Sequence, residues 1–166
     1  MKSISSVDAT RDGFSFNPYR YIVRQKVLRS FAHLSVGDAS EALALMARDV
    51  TYTFEGEHAL GGTRISRAGV EKWFARLLRL LPGRFQIRRI DVIGMPWRTR
   101  VYTVFEDTVT PAFGAPYVNQ GVQVVELVWG RAKRIHTYVN TAKMRHALDV
   151  LAEHGVLEAR ADPIAE

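Results

Sequence analysis

The run Tyr117-Val118-Asn119-Gln120-Gly121-Val122-Gln123-Val124-Val125-Glu126-Leu127-Val128-Trp129 narrows most what this chain can become. It is dense in β-branched and aromatic residues and reads as one long strand. It passes through the basic turn Gly130-Arg131-Ala132-Lys133-Arg134 into a second β-rich run, Ile135-His136-Thr137-Tyr138-Val139-Asn140-Thr141. An apolar helical pattern follows. Two long strands joined this way form a wide hairpin. A twisted hairpin closed by a helix predicts a curved sheet with a pocket on its concave side. Function is then sought among the side chains lining that pocket.

The rest of the chain supplies partners for this hairpin. Val23, Val27, Phe31 and Leu34 fall four, four and three apart, one stripe of a helix beginning near Tyr19. Gly37 ends it. Asp38 with Glu41 reads as a capping box for a short helix carrying Leu43, Leu45 and Met46. A strand is expected from Val50 to Glu55, then a loop from Gly56 to Gly62. Ser66 reads as the N-cap of a helix with Val70, Trp73, Phe74, Leu77 and Leu81 on one face. Pro82-Gly83 stops that helix. Strands are expected over 85–93, 100–108, 117–129 and 134–140, and Met144, Leu148 and Leu151 mark a last helix. Residues 1–17 read as a flexible arm, 18–155 as one α+β domain and 156–166 as a loose tail. The expected fold is a cone-shaped, mainly antiparallel sheet, with three helices of the N-terminal half on its concave side and a C-terminal helix.

Composition bounds the function. At 166 residues a single domain is expected, burying roughly 70% of its unfolded surface. The chain has no cysteine, which excludes disulfides, thiolate catalysis and thiolate-held zinc. Its net charge of +6 is scattered, so a solvated basic surface is expected and no nucleic-acid partner. No apolar run is long enough to span a membrane, and Met1-Lys2-Ser3-Ile4-Ser5-Ser6 has no apolar signal core. The expectation is a cytoplasmic protein with no membrane partner. The five histidines show no ligand spacing, and neither a phosphate loop nor a dinucleotide fingerprint is present. No cofactor is expected.

In the order and spacing of Gly37-Asp38, Leu45-Met46-Ala47-Arg48-Asp49-Val50, His58-Ala59-Leu60-Gly61-Gly62, Tyr117-Val118-Asn119 and Arg134-Ile135-His136-Thr137-Tyr138-Val139-Asn140-Thr141, the chain resembles SnoaL-like families of the nuclear transport factor 2-like superfamily. The likeness covers residues 19–151. It implies a conical α+β barrel with an apolar cavity, and frequent homodimers through the outer face of the sheet. Ketosteroid isomerases of this superfamily need an aspartate base where Phe54 stands, a tyrosine near Ser30 or Phe31, and a protonated aspartate near Val125. All three roles are absent. Epoxide hydrolases of the superfamily use an arginine, which Arg100 matches, and two aspartates, whose places fall to Tyr102 and Thr137.

Alternation sends residues two apart to one face of a strand. Tyr52 and Phe54, Arg100 and Tyr102 with Glu106 beyond them, Asn119 and Gln123, and Thr137 with Val139 are taken as inward sets. Arg100 can hold a developing oxyanion beside a proton-donating Tyr102. The plainer alternative is an arginine snorkelling from a strand end beside a core tyrosine. His58, on a rim loop, can exchange protons near neutrality or simply be exposed. Phe31, Tyr52, Phe54, Trp73, Asn119, Gln123 and Thr137 complete the expected substrate site. The expected function is acid–base chemistry without a cofactor, of isomerase, cyclase or dehydratase type, on an apolar oxygenated molecule. The alternative is a binding or dimerisation module of the same fold.

Overall fold

The computed structural model describes residues 17–166, so the expected arm up to residue 16 lies outside the described residues. Asn17 caps helix α1 (Pro18–Leu34), its Oδ1 accepting from the Arg20 N–H at 3.2 Å, with Pro18 in the first turn where its missing donor costs nothing. Helix α2 (Ser40–Leu45) runs directly into strand β1 (Met46–Phe54). The capping box expected there does not form. Asp38 instead meets His33 Nδ1 at 2.7 Å and accepts from Ser40 N, while Glu41 pairs with Arg29. Strand β2 (Gly62–Arg64) turns back on β1 at the end of what was expected to be only a loop. Helix α3 (Arg67–Leu80) follows, capped by Ser66. Strands β3 (Gly83–Met95), β4 (Arg98–Val109), β5 (Tyr117–Val128) and β6 (Arg131–Val139), helix α4 (Thr141–Glu153) and a 3-10 turn (Leu157–Arg160) complete the chain.

The six strands lie in the order β2-β1-β6-β5-β4-β3. All pairings are antiparallel except β1 with β6, so one crossover joins the two ends of the chain. Between Ile87 and Arg89 the register of β3 against β4 shifts by one residue. That bulge bends the strand and lets Phe85 and Ile87 before it, and Ile90 and Val92 after it, all reach the concave side. The core sits between this side and the helices. Val50, Tyr52, Val70, Trp73, Val101, Val109, Leu148 and Leu151 are among its most enclosed apolar members.

Two local features have a cost. The β5–β6 hairpin turns through Trp129-Gly130 with φ of 51° and 76°. A bulky residue in the left-handed region costs about 1–2 kcal/mol, and Trp129 is 71% exposed, so burial returns little of it. The other is Arg64, whose side chain is wholly buried without a carboxylate partner among the described residues. Its guanidinium donates instead to the carbonyls of Ile164 (2.8 Å), Gly62 (2.8 Å), Gly61 and Leu60, and lies 5.3 Å from the centre of the Trp73 ring. Trp73 Nε1 donates to the same Leu60 carbonyl at 2.8 Å.

The tail is therefore docked rather than loose. Arg76 donates to the Asp162 carbonyl, Arg79 pairs with Glu158, and Lys72 with Glu166. Replacing Arg64 with Met leaves several buried carbonyls without donors, each worth about 1–3 kcal/mol. Arg64→Met should lower stability by roughly 3 kcal/mol or more, read from its denaturant midpoint, and open 157–166 to protease. An unchanged midpoint with an intact tail rules out this role for Arg64.

Candidate active site

Directly opposed residues of neighbouring strands share a face. On the concave side one row joins Ile90, Thr103, Gln123 and Thr137, and another, beyond the row of Ile87, Phe105 and Gly121, joins Phe85, Asp107 and Asn119. Phe54 pairs with Thr137, and Tyr52 with Ile135. The inward placing of Tyr52, Phe54, Asn119, Gln123, Thr137 and Val139 thus matches the alternation read from the sequence. For β4 the phase is the reverse. Thr99, Val101, Thr103, Phe105 and Val109 are buried, and Arg100, Tyr102 and Glu106 stand on the outer face. Arg100 is half exposed and lies 3.5 Å from Glu126, whose other oxygen meets Arg134 at 4.0 Å. Glu106 pairs with Arg88. Tyr102 shares its row with Val124 and His136. The structure therefore does not bring Arg100 and Tyr102 to the pocket.

His58 is not with them either. It packs edge-on against Phe54, ring centres 6.3 Å apart, and its Nδ1 accepts from Leu60 N at 3.3 Å. Burial lowers its pKa, with Arg145 and Arg64 adding to the effect, so it is neutral at pH 7. It borders an open groove beside Glu55, Arg145 and Asp149 rather than the interior.

The interior is a space of about 50 Å³ walled by aromatic rings. Trp73 contacts Tyr52 at 4.8 Å and Phe54 at 5.1 Å, and Phe31 contacts Phe85 and Phe105, both at 5.4 Å. Within this wall, Thr137 Oγ1 receives Gln123 Nε2 at 3.1 Å and lies 3.3 Å from the Tyr52 hydroxyl. Burial pushes the Tyr52 phenol up to about 12, which keeps it a donor. Asn119 is spent on the backbone, accepting from Gln120 N and Asn140 N and donating to the Asn140 carbonyl. It fastens the start of β5 to the cap of α4.

The residue that sequence reasoning missed is Asp107. It lines the same interior, and its Oδ1 is buried without a hydrogen-bond partner among the described residues. Burial alone pushes its carboxyl up to about 7. Nearby, the Tyr117 hydroxyl is also buried and unpartnered, and burial and the Asp107 charge both raise its pKa. The carboxyl rests over Gly83, where any side chain would collide with it. The signal was present in β4. Val101, Phe105 and Val109 stand at even spacing with Thr103 and Asp107 between them, an apolar set marking the buried face.

A second cavity of about 110 Å³ lies beneath α1, lined almost wholly by apolar side chains including Val23, Val27, Val125 and Leu127. It shares Phe31 and Gln123 with the aromatic interior, so the two adjoin. Among the described residues no three His, Asp or Glu side chains converge as metal ligands.

The family described as SnoaL-like domain matches residues 27–135. An NTF2-like protein of unknown function from Burkholderia pseudomallei K96243 is 22% identical over 75% of this chain and 95% of its own, with a TM-score of 0.63. PrhC from Penicillium brasilianum is 13% identical over 84% and 93%, with a TM-score of 0.68. TerC, crystallised with polyporic acid, is 24% identical over 76% and 98%, with a TM-score of 0.61. At these identities the likeness is one of fold. No curated protein matches the chain.

The environment of Asp107 has a thermodynamic consequence. Its folded pKa, about 7, lies above its ordinary 3.8, so the folded state holds the proton more tightly. Stability is then lost as pH rises from about 4 to 7 and the buried carboxyl ionises. Asp107→Asn removes that loss. It should raise unfolding free energy by roughly 2–4 kcal/mol at pH 8 and by little at pH 4. Denaturant titrations of both proteins across this range check it, and a pH-independent difference contradicts the assignment.

Proposed function

The chain belongs to the SnoaL-like domain family, and we propose that it is a cofactor-independent enzyme that moves protons on an apolar, oxygen-bearing small molecule through Asp107. One observation carries this reading. An aspartate without an ion-pair partner among the described residues is held among aromatic rings, with its carboxyl poised near neutrality. Such a group is costly to keep in a core, and it has the pKa that suits transfer in both directions at pH 7. TerC, similar in fold, was crystallised with polyporic acid, which supports a small organic ligand.

In this reading Phe31, Tyr52, Phe54 and Trp73 hold the ligand's apolar body. Gln123 and Thr137, already bonded to each other, orient its oxygen, and the unpartnered Thr103 and Tyr117 hydroxyls are further donors. The ionised Asp107 takes a proton from the carbon beside a carbonyl. The C–H electron pair moves into the enolate, whose oxygen accepts a hydrogen bond. The protonated Asp107 then returns the proton to a different atom of the same molecule. Nothing is oxidised, and the product is an isomer. The proton role expected of Arg100, Tyr102 and His58 falls to Asp107. A second reading, ligand binding without turnover, is favoured by the tightness of the interior. Its 50 Å³ is well below the roughly 300 Å³ or more of an ordinary small-molecule site. A ligand must displace rings or extend into the cavity beneath α1.

Deuterium exchange tests the chemistry without knowledge of the natural substrate. Aryl 1,3-diketones and cyclic enones incubated with protein in heavy water should gain deuterium beside the carbonyl, at a rate that rises with pH through about 7. Asp107→Asn should slow this by about 10²–10⁴-fold. Exchange no faster than in buffer, with the diketones still bound, selects the binding reading.

The same proposal includes a homodimer through the outer face of the sheet, where Val104, Val122 and Tyr138 form a row exposed by more than a third. Val122→Glu should convert the dimer to a monomer in light scattering while leaving the melting curve of the fold in place. A wild-type monomer at all concentrations removes the dimer.

A further inference from the structure

At the end of the sheet where the β3–β4 and β5–β6 hairpins turn, two tryptophans stand in water. Trp97 is 55% and Trp129 71% exposed, with ring centres 6.3 Å apart. The turns are tied together, Trp129 N donating to the Pro96 carbonyl at 2.8 Å. Ile93 and Met95 add exposed apolar surface on the approach to the first turn, and Val128 on the approach to the second. Trp129 occupies the first position of a two-residue hairpin turn with positive φ at both positions, where Asn, Asp or Gly is the usual choice. A strained, largely solvated indole returns little to the fold. A contact outside the monomer gives it a use.

Charge indicates the kind of contact. The segments 95–100 and 128–134 carry Arg98, Arg100, Arg131, Lys133 and Arg134 and no acid. Part of this charge is matched inside the protein, Arg100 and Arg134 by Glu126 and Lys133 by Asp49. Arg98 stands exposed on the Trp97 turn. Helix α1 begins at this same end, the Tyr19 hydroxyl meeting Thr99 Oγ1 at 2.6 Å. It brings Arg20, Arg24 and Lys26, contains no acidic residue, and exposes 52% of Ile22. The cavity beneath α1 is bordered here by Ile22, Lys26 and Gly130, the last being the partner of Trp129 in its turn.

We infer that this end docks on an anionic membrane surface, Trp97 and Trp129 entering the headgroup layer while the surrounding cations face the lipid phosphates. Paired indoles ringed by arginine match the amphipathic depth profile of a bilayer interface. A docked molecule presents the apolar cavity to the lipid, so a sparingly soluble ligand passes into it without crossing water. No described helix is long and apolar enough to cross a membrane, and the association is therefore peripheral. This revises the sequence-based expectation of no membrane partner, which concerned spanning segments. It holds whatever chemistry occurs at Asp107.

The test is co-sedimentation of the full chain with vesicles of phosphatidylcholine alone and of phosphatidylcholine mixed equally with phosphatidylglycerol. Binding should favour the anionic vesicles, weaken as salt is raised, and shift tryptophan emission to the blue. Arg98→Gln should weaken it about fivefold. Trp129→Asn should weaken it about tenfold or more while raising the melting temperature, because Asn suits the turn. A purely structural Trp129 gives no loss of vesicle binding, which overturns the inference. Failure of the wild-type protein to sediment with either vesicle also overturns it. So does conversion of a dimer to a monomer by Trp129→Asn, which shows the patch covered by a second copy.

Discussion

A buried cation organises the wall of this protein. Arg64 carries full charge out of water and is stabilised by carbonyl dipoles and the face of Trp73 rather than by a carboxylate. A buried charge without such partners is strongly destabilising, so the groups around it are held together. They come from the loop after β1, from β2 itself, from α3 through Trp73, and from the C-terminal tail through Ile164. Trp73 in turn sets the positions of Tyr52 and Phe54, which line the interior. The shape of the candidate site thus rests on a contact that is not part of it.

The sheet divides chemistry between its faces. Outside, charges are matched across strands, as Arg100 and Arg134 are with Glu126 and Arg88 is with Glu106, and the matched pairs remain in contact with water. Such pairs contribute little to stability. Inside, the polar groups form two sets of different character. Gln123, Thr137 and Tyr52 satisfy one another. Asp107 and Tyr117 do not, and an unsatisfied pair in a core is costly. Positions kept at such a cost are where a ligand is expected to complete the bonding.

The two adjoining spaces differ in the same way. The cavity beneath α1 is apolar and borders the end rich in exposed tryptophan and arginine. The aromatic interior holds the carboxyl. Phe31 and Gln123 stand between them. In the proposed reading the apolar cavity is the entrance for an apolar ligand, and the carboxyl is its reactive partner. Passage between the two depends on movement of the Phe31, Phe85 and Phe105 rings, which now pack at 5.4 to 5.7 Å.

Local periodicity set much of this architecture. The stripe through Val23, Phe31 and Leu34, the face through Val70, Trp73 and Phe74, and the alternations in β1, β5 and β6 each follow from backbone geometry alone, and each stands where its pattern placed it. The facing of β4 was equally legible in Val101, Phe105 and Val109. The polar pair Arg100 and Tyr102 favours the opposite phase, but the bulk of three apolar side chains decides which face is buried. Other features had no local sign. The bulge at Arg88, the docking of the tail on Arg64 and the parallel pairing of β1 with β6 depend on residues far apart in the chain. The acidity of Asp107 belongs with these. An aspartate is an ordinary acid in the sequence, and only the closing of Phe85, Asn119 and the helices around it removes the water that kept it so.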